Sequence, residues 1–179
     1  YNQYRNIKNS NMKDEKYLRL KYHIINNSSS IKISHMIADY NNLYDDWTPD
    51  KKNHNITYSD SLGIDSQYTY ATSFNFNREI NKNLKIALIS TFSKNKLIHS
   101  YDGDWANDEY WFLEHNWDPN YWRWSFTDNT SRYRNSKSLE FRINKNYQNY
   151  ISNSNNLTFG YYQSNTDETD KSNGWIFGG

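Results

Sequence analysis

Alternation of apolar and polar side chains is the feature that most constrains the fold of this chain. In the cleanest stretch, Tyr68, Tyr70, Phe74 and Phe76 occupy alternate positions and are separated by polar or small residues. Successive side chains of a β-strand point to opposite faces of the sheet, so this period predicts a strand with one apolar and one polar face. The pattern recurs about six times along the chain, which predicts an all-β protein.

The other alternating segments follow the same rule. They begin near Lys16, Ile31, Leu84, Ser138 and Leu157. In the second of the six segments the apolar residues change face near His35, which predicts a β-bulge at that residue. A shorter alternating stub, formed by Trp122, Trp124 and Phe126, lies inside a long polar segment.

The connections between the predicted strands alternate in length. Short turns are predicted at 26–29, 79–83 and 144–156, whereas the segments 41–66 and 101–134 are long and polar. Outer-membrane β-barrels have this rhythm, because tight turns face the periplasm and extended loops lie outside. A β-sandwich with a long loop at every second connection is the alternative. Six strands are fewer than the about eight that close the smallest bacterial barrel, so we expect further strands beyond this chain.

Composition restricts the kind of core that such strands can build. Hydrophobic residues make up 35% of the chain and the mean hydropathy is −1.13, yet aromatic residues reach 18%. This combination fits strands that keep one polar face, and it argues against disorder, which goes with few aromatic residues. A transmembrane barrel and a secreted, aromatic-rich, carbohydrate-binding β-domain both satisfy it.

Charge and motifs exclude several classes of function. The 21 basic and 20 acidic residues are interspersed, so the net charge of +1 offers no basic surface to nucleic acid. The sequence has no cysteine, no H-E-x-x-H and no G-x-S-x-G motif. We therefore expect a protein that is not an enzyme and has no cofactor. A barrel-embedded hydrolase that pairs Asp39 or Asp60 with His35 or His54 is the enzymatic alternative.

Five charged residues lie in the strands opposite the apolar stripes. In a membrane barrel, an Arg or Lys on the lipid face costs about 2–4 kcal/mol near the bilayer centre. We therefore expect these charges to face the lumen, and the alternating apolar residues to face lipid. The charged set is Arg19, Lys21, Lys85, Glu140 and Arg142, and the apolar set is Leu18, Tyr70, Phe74, Leu88 and Phe141.

Aromatic and acidic residues concentrate in the second long segment. Aromatic rings bind sugars or planar chelates by stacking, so this loop is the candidate ligand site. Its residues are Tyr101, Asp102, Asp104, Trp105, Tyr110, Trp111 and Trp117. The alternative is that these Trp and Tyr side chains form the aromatic girdle at the membrane interface. The acidic residues at 102–109 offer oxygen ligands but lack the order of an EF-hand loop, so we expect no metal.

Three stretches resemble the barrel of TonB-dependent outer-membrane receptors. Ile89–Ser93 and Ser100–Trp111 are similar to a family segment of the form ISS(Y/F)S … YSYDGDWGN. Ser138–Ile143 and Leu157–Tyr162 are similar to the family hairpin SQELRL … W-GLYY. Thr57–Gln67 resembles a family loop that enters a strand.

This resemblance implies an antiparallel, up-and-down transmembrane barrel of about 22 strands that encloses a plug domain, with residues 1–179 forming part of the barrel. It implies uptake of a ferric siderophore, a cobalamin or a glycan across the outer membrane of a Gram-negative bacterium. The implied partners are outer-membrane lipid, the receptor's own plug, the nutrient and the inner-membrane TonB-ExbB-ExbD complex. A TonB box, a plug and a C-terminal aromatic residue are missing from these residues, so we expect an internal fragment of the barrel.

Overall fold

The computed structural model describes residues 10–44, 47–61, 63–118, 120–121, 127–149 and 152–174. These residues form β1 (Glu15–Asn26), β2 (Ser29–Tyr44), β3 (Gly63–Asn81), β4 (Leu84–Asp102), α1 (Asp108–His115), β5 (Thr127–Asn149) and β6 (Ser152–Asn173). The prediction of an all-β protein is confirmed. The alternating stub of Trp122, Trp124 and Phe126 lies outside the described residues.

The six strands build one antiparallel sheet in the order of the sequence, from β1 to β6. Each strand therefore pairs with the strand that follows it, which confirms the predicted up-and-down order. β1 and β6 are the two edges, so within the described residues the sheet is open and is not closed into a barrel. In the part of the chain that the structure describes, no helix has the length and apolar character needed to cross a membrane.

The connections alternate in length as predicted. Short turns join β1 to β2, β3 to β4 and β5 to β6 at one end of the sheet, and the long loops 45–62 and 103–126 lie at the other end. Several strands are longer than predicted at the loop end, since β4 continues to Asp102 and β6 continues to Asn173. The predicted bounds 144–156 of the third turn are wrong, because β5 continues to Asn149 and β6 begins at Ser152. Backbone groups make the hydrogen bonds of a sheet, so polar stretches without alternation pair as well.

The β-bulge predicted near His35 is wrong. β2 pairs with both neighbours without a register shift at this residue, which lies opposite Leu20 in β1 and Thr72 in β3. The His35 Nδ1 atom is 2.9 Å from Thr72 Oγ1, and the ring lies 4.8 Å from that of Tyr70. Contacts across the strands therefore accommodate this polar residue on the apolar face, and no bulge is needed.

The sheet is a single layer, and its described residues contain almost no hydrophobic core. The buried hydrophobic residues among them are Ala38, Ala87, Ala106 and Tyr110. Many large apolar side chains are instead exposed, including Leu18 at 50%, Tyr22 at 62% and Phe159 at 68%. Removing apolar surface from water contributes about 25 cal/mol per Å², so these exposed side chains gain little from this term in a single layer.

Pairing between strands assigns each strand residue to one of two faces, because residues that pair point to the same side. On one face, the half of the sheet nearer to the short turns carries mainly Leu, Ile, Phe and Tyr. The other face carries mainly Ser, Thr, Asn and charged residues. A row on the apolar face is Ile24, Ile31, Phe76, Leu88, Phe141 and Tyr161. The adjacent row on the polar face is His23, Lys32, Asn75, Ile89, Glu140 and Tyr162.

The charged residues that were predicted to face a lumen lie together on the polar face. This set is Arg19, Lys21, Lys85, Glu140 and Arg142, and the five apolar residues predicted to face lipid lie on the opposite face. Lys85 forms an ion pair with Glu79, and Arg142 forms one with Glu140. Hydroxyl groups also bond across strands, as Thr91 Oγ1 does with Ser138 Oγ at 2.6 Å. That this face lines a lumen stays a prediction.

The apolar residues form a band across one face, and polar residues mark its two edges. Toward the loops the edge passes through Lys16, Asp39, Lys94, Lys137 and Gln163, in β1, β2, β4, β5 and β6. Toward the short turns it passes through Asn26, Ser29, Arg78 and Lys145. We call the surface between these residues the apolar band.

The apolar band crosses the strands obliquely. Its loop-side edge starts at Lys16 in β1, whereas in β6 it reaches Gln163, whose row begins at Tyr22. The edge thus moves along the strands by about one residue, roughly 3.3 Å, for every strand spacing of about 4.8 Å. The strands are therefore inclined by about 35° to the direction perpendicular to the edge of the band. The two edges are about 8–10 residues apart along a strand, or roughly 22–27 Å across the band.

Beyond the band, β5 and β6 extend toward the loops and are joined there by ion pairs on the polar face. Arg132 Nη2 lies 2.7 Å from Asp170 Oδ2, and Arg134 bonds to Glu168. The hydrogen bond from Arg134 lowers the pKa of Glu168 below the ordinary value of 4.5. A group with a lowered folded pKa stabilises the fold above pH 4.5, and this contribution is lost as the pH falls through the folded pKa.

We expect Arg134→Gln to raise the pKa of Glu168 toward 4.5, because the carboxylate loses its main hydrogen-bond donor. The measurement is an NMR titration of the Glu168 side chain in the complete protein. Lys171→Gln is the matched control. Lys171 lies in β6, the strand that carries Glu168, but its side chain is on the opposite face. A Glu168 pKa that is the same in Arg134→Gln as in the control would contradict this assignment.

Candidate functional site

The two long loops meet at the end of the sheet beyond β3 and β4. Tyr58 in the first loop forms an isolated bridge with Ala106 in the second, and Asn107 N donates to Tyr58 O at 2.8 Å. β3 and β4 stay paired up to Ile64 and Ser100, so they hold the ends of both loops side by side. This hairpin therefore positions the candidate site.

Helix α1 begins at a polar cap in the second loop. Asn107 precedes the helix, and its side-chain Oδ1 accepts a hydrogen bond from Tyr110 N at 2.9 Å. Two acidic residues follow in the first turn, where they interact favourably with the helix dipole. The helix ends at His115, and Asn116 takes the left-handed conformation that terminates many helices. Hydrophobic alternation did not predict this helix, although the Asn-Asp-Glu run is a start signal.

Asn107→Ala is expected to weaken α1 by about 1 kcal/mol, because Tyr110 N then loses its acceptor. Hydrogen exchange of the α1 amides measures this as roughly fivefold faster exchange. Asn107→Asp retains an acceptor oxygen and is the control. Equal exchange rates in the Ala and Asp variants would argue against a capping role.

Aromatic side chains from α1 and the segment after it form an aromatic cluster, which consists of Tyr110, Trp111, His115 and Trp117. The Trp111 and Trp117 rings are stacked with centroids 5.0 Å apart, and His115 lies 5.1 Å from Trp111. Tyr110 is buried and joins the cluster to the first loop, where its ring lies 4.4 Å from that of Tyr58. Trp117 is 38% exposed, so this residue is partly accessible to solvent.

The two tyrosines that join the loops stay neutral at physiological pH. Burial raises the pKa of Tyr58 above 10.0. The nearby Asp50 carboxylate raises this pKa further, and its Oδ2 atom accepts a hydrogen bond from the Tyr58 hydroxyl at 3.3 Å. Burial and Asp50 also raise the pKa of Tyr110. The contact between the loops therefore does not depend on titration of these phenols.

Three carboxylates from the two loops form an acidic cluster, which consists of Asp60, Asp102 and Asp104. One oxygen of each lies within 4.8 Å of the others. Asp102 and Asp104 are each 6% exposed, whereas Asp60 is exposed. Asp60 N donates to Asp102 Oδ2 at 3.3 Å, and Asp102 Oδ1 is buried without a hydrogen-bond partner in the described residues.

The residues predicted to form the ligand site fall into two clusters and two residues that lie apart from them. The aromatic cluster contains Tyr110, Trp111 and Trp117, and the acidic cluster contains Asp102 and Asp104. Tyr101 lies apart, because its hydroxyl donates to Asp128 Oδ2 in β5 at 3.0 Å. Trp105 packs on Trp47 of the first loop, with ring centroids 4.8 Å apart.

Trp47, Tyr58 and His115 were not among the predicted site residues, and Asp60 was predicted only as a partner of a histidine. The pairing of β3 with β4 contains a signal for Asp60. Continuing the register of Ile64 and Ser100 outward places Asp60 opposite Asp104. Trp47 and Tyr58 have no comparable signal, because the path of a long loop does not follow from strand register.

The geometry bears on two alternatives. From Lys94 at the edge of the apolar band, β4 continues for about eight residues, roughly 27 Å, before the aromatic loop begins, so the start of that loop lies beyond this edge, and the girdle stays an alternative prediction. A hydrolytic pair of Asp39 and His35 is not formed, since the two residues lie in different rows and His35 bonds to Thr72.

No protein family, curated protein or solved structure matches this chain.

Proposed function

We propose that the chain is part of an outer-membrane β-barrel receptor of the TonB-dependent class, and that its loop end binds a scarce nutrient for import. The observation that carries the proposal is the apolar band. Its width of roughly 22–27 Å is close to the about 25 Å apolar belt of outer-membrane barrels. Its obliquity of about 35° lies within the range of strand tilts in those barrels.

The position of the band along the strands supports the same function. It lies beside the short turns, and the strands continue past it toward the long loops. Outer-membrane barrels have short turns at the periplasmic edge of the belt and long extensions outside the cell. Six strands are fewer than the about eight of the smallest bacterial barrel, so the proposal includes further strands that complete the wall.

The polar face supports an enclosed interior. Its hydroxyl and amide side chains bond across strands, as Asn95 Nδ2 does with Thr69 Oγ1 at 2.7 Å. Arg19, Lys21, Lys85, Glu140 and Arg142 add charge to this face, where a plug domain or water can contact them. Placed in a barrel wall, these residues avoid the cost of charge in lipid.

The loops support a receptor over a purely structural barrel. Trp117 is 38% exposed and its indole stacks on Trp111, and we propose that the accessible part of this pair binds a planar chelate or a sugar ring. The resemblance of Ser100–Trp111 to the receptor family falls on this loop. A secreted β-sandwich is the weaker proposal, because it needs a second sheet over the apolar band and the described residues form one layer.

Membrane fractionation of the complete gene product, expressed in a Gram-negative host, tests the barrel. We expect the protein in the outer-membrane fraction, retained after carbonate washing and released by detergent. A monodisperse protein in the soluble fraction would contradict the proposal.

Uptake by whole cells tests the receptor function. We expect accumulation of one of three labelled probes, a ferric catecholate, cyanocobalamin or a maltooligosaccharide, and this accumulation stops when the proton-motive force is dissipated. Trp117→Ala is expected to weaken binding of that probe about threefold to tenfold through loss of stacking. Tyr121→Ala is the control, since Tyr121 is 83% exposed and lies in the same loop. Uptake that is insensitive to the proton-motive force would exclude the TonB-dependent class.

A further inference from the structure

We propose that the acidic cluster binds one calcium ion, which ties the two long loops together. This inference departs from the expectation, based on the sequence alone, that the protein holds no metal. It concerns the loops and does not depend on insertion of the strands into a membrane.

The burial of Asp102 is the first argument. The residue is 6% exposed, and its Oδ2 atom accepts from Asp60 N at 3.3 Å. Its Oδ1 atom has no hydrogen-bond partner within the part of the chain that the structure describes. Among the described residues no Lys, Arg or His forms an ion pair with it. Buried carboxylates are normally matched by donors, by a cationic side chain or by a metal ion. Asp102 therefore has an unused ligand oxygen inside the protein.

The spacing of the carboxylates is the second argument. One oxygen each from Asp60, Asp102 and Asp104 lies within 4.8 Å of the other two. Three atoms with this spread lie on a sphere of at most about 2.8 Å radius, and a small shift of the exposed Asp60 side chain brings them to the about 2.3–2.6 Å that is usual between calcium and oxygen. Three carboxylates at such distances repel one another, and a divalent cation between them reverses the sign of that interaction.

The ligand atoms select the kind of ion. All three are carboxylate oxygens, and the cluster contains no imidazole or thiolate, so it suits a hard cation and not zinc or copper. Magnesium needs near-octahedral geometry and usually keeps several waters with one or two carboxylates. Calcium accepts more protein oxygens in flexible geometry, which suits ligands from two loops.

The placement of the ligands gives the ion a structural role. Asp60 precedes β3, whereas Asp102 ends β4 and Asp104 follows it. An ion bound to all three therefore crosslinks the loops next to the Tyr58–Ala106 bridge. Asn107, which caps α1, follows directly, so the ion also fixes the start of the helix that carries the aromatic cluster.

Calcium and terbium titrations of the complete protein test the proposal. Tb³⁺ replaces Ca²⁺ at oxygen sites, and Trp105, adjacent to Asp104 in the chain, sensitises its luminescence. We expect one Tb³⁺ per chain at this site, displaced by Ca²⁺ at about 1 mM or below and by Mg²⁺ at least about tenfold less effectively. Absence of luminescence and of calcium binding at millimolar concentrations would overturn the site, and equal displacement by Mg²⁺ would overturn its assignment to calcium.

Variants assign the site to the cluster. Asp102→Asn and Asp60→Asn are each expected to weaken calcium binding by about tenfold or more, because each removes a charged ligand. Asp108→Asn is the matched control, since it removes the same charge from an exposed residue of the same loop and is expected to change affinity less than about twofold. Asp60 is exposed, so its variant tests the site even where Asp102→Asn fails to fold. An equal loss in Asp108→Asn would show general electrostatic attraction and would overturn the proposal.

Discussion

Leu88→Arg is expected to destabilise the folded protein in a membrane by about 2–4 kcal/mol, because it places a charge in the middle of the apolar band. Leu88 lies in the row of Ile24, Phe76 and Phe141, between the two polar edges. A guanidinium at this depth leaves water for hydrocarbon. The ratio of folded to unfolded protein should therefore fall by a factor of roughly 30 to 1,000 at a fixed denaturant concentration.

Ile89→Arg is the matched control for this prediction. Ile89 is the next residue of β4, is also partly exposed, and faces the polar side opposite Asn75 and Glu140. Its substitution is expected to cost less than about 1 kcal/mol, since Arg there has water and a carboxylate beside it. Guanidinium unfolding from phospholipid vesicles measures both variants. Equal costs for the two would contradict the assignment of faces to lipid and interior.

Tyr110→Ala is expected to have the second largest effect, a loss of about 3 kcal/mol from the local stability of the loops. Tyr110 is the buried hydrophobic side chain of α1, and its ring contacts Tyr58 at 4.4 Å and Trp111 at 5.3 Å. Truncation leaves a cavity between the two loops, so α1 should detach while the sheet stays folded.

Hydrogen exchange separates these two levels of structure. Amides of α1 should exchange about 100-fold faster in Tyr110→Ala, and amides of β3 and β4 inside the apolar band should be unchanged. Tyr110→Phe keeps the ring and is the control, with an expected cost below about 1 kcal/mol. Unchanged α1 exchange in Tyr110→Ala would mean that the contact between Tyr58 and Tyr110 does not hold the loops together.

The sheet was predictable from the sequence, because alternation of side chains indicates the strands and polar turn residues indicate the connections between them. Tyr68 to Phe76 and Leu84 to Phe92 alternate cleanly, and both segments lie in paired strands. The bulge near His35 was wrong because β2 is regularly paired and carries the apolar residues Met36 and Ala38 on its polar face, which mimics a change of face. The outer parts of β4, β5 and β6 were missed, since both faces are polar there and the backbone alone makes the ladder.

The candidate site was predictable in part. The density of aromatic and acidic residues at 101–117 identified the loop, but alternation gives no information on a short helix such as α1. The acidic cluster depends on Asp60, which is distant in sequence from Asp102 and Asp104. Two loops come together because β3 and β4 are neighbours, so this site follows from topology and not from a local motif.

The same geometry links the two proposals. In the proposed barrel, the apolar band sets the depth of the strands in the membrane, and the strands beyond the band raise the loops above the surface. A cation between the loops would then hold the aromatic cluster in one position for a ligand. The two proposals fail separately, because calcium binding is measurable without lipid and lipid contact is measurable in calcium chelator.

Accessibility of spin labels in the outer membrane tests the membrane assignment most directly. Single labels are placed on Leu18, Leu88 and Phe141, and on their neighbours Arg19, Ile89 and Arg142, in the complete protein. We expect oxygen dissolved in lipid to relax the labels on Leu18, Leu88 and Phe141, and we expect a water-soluble nickel complex not to reach them. The labels on the three neighbouring residues should show neither exposure to lipid nor a dependence of oxygen accessibility on depth. Labels on Leu18, Leu88 and Phe141 that contact the nickel complex, or that are packed inside a dry protein core, would contradict the outer-membrane barrel.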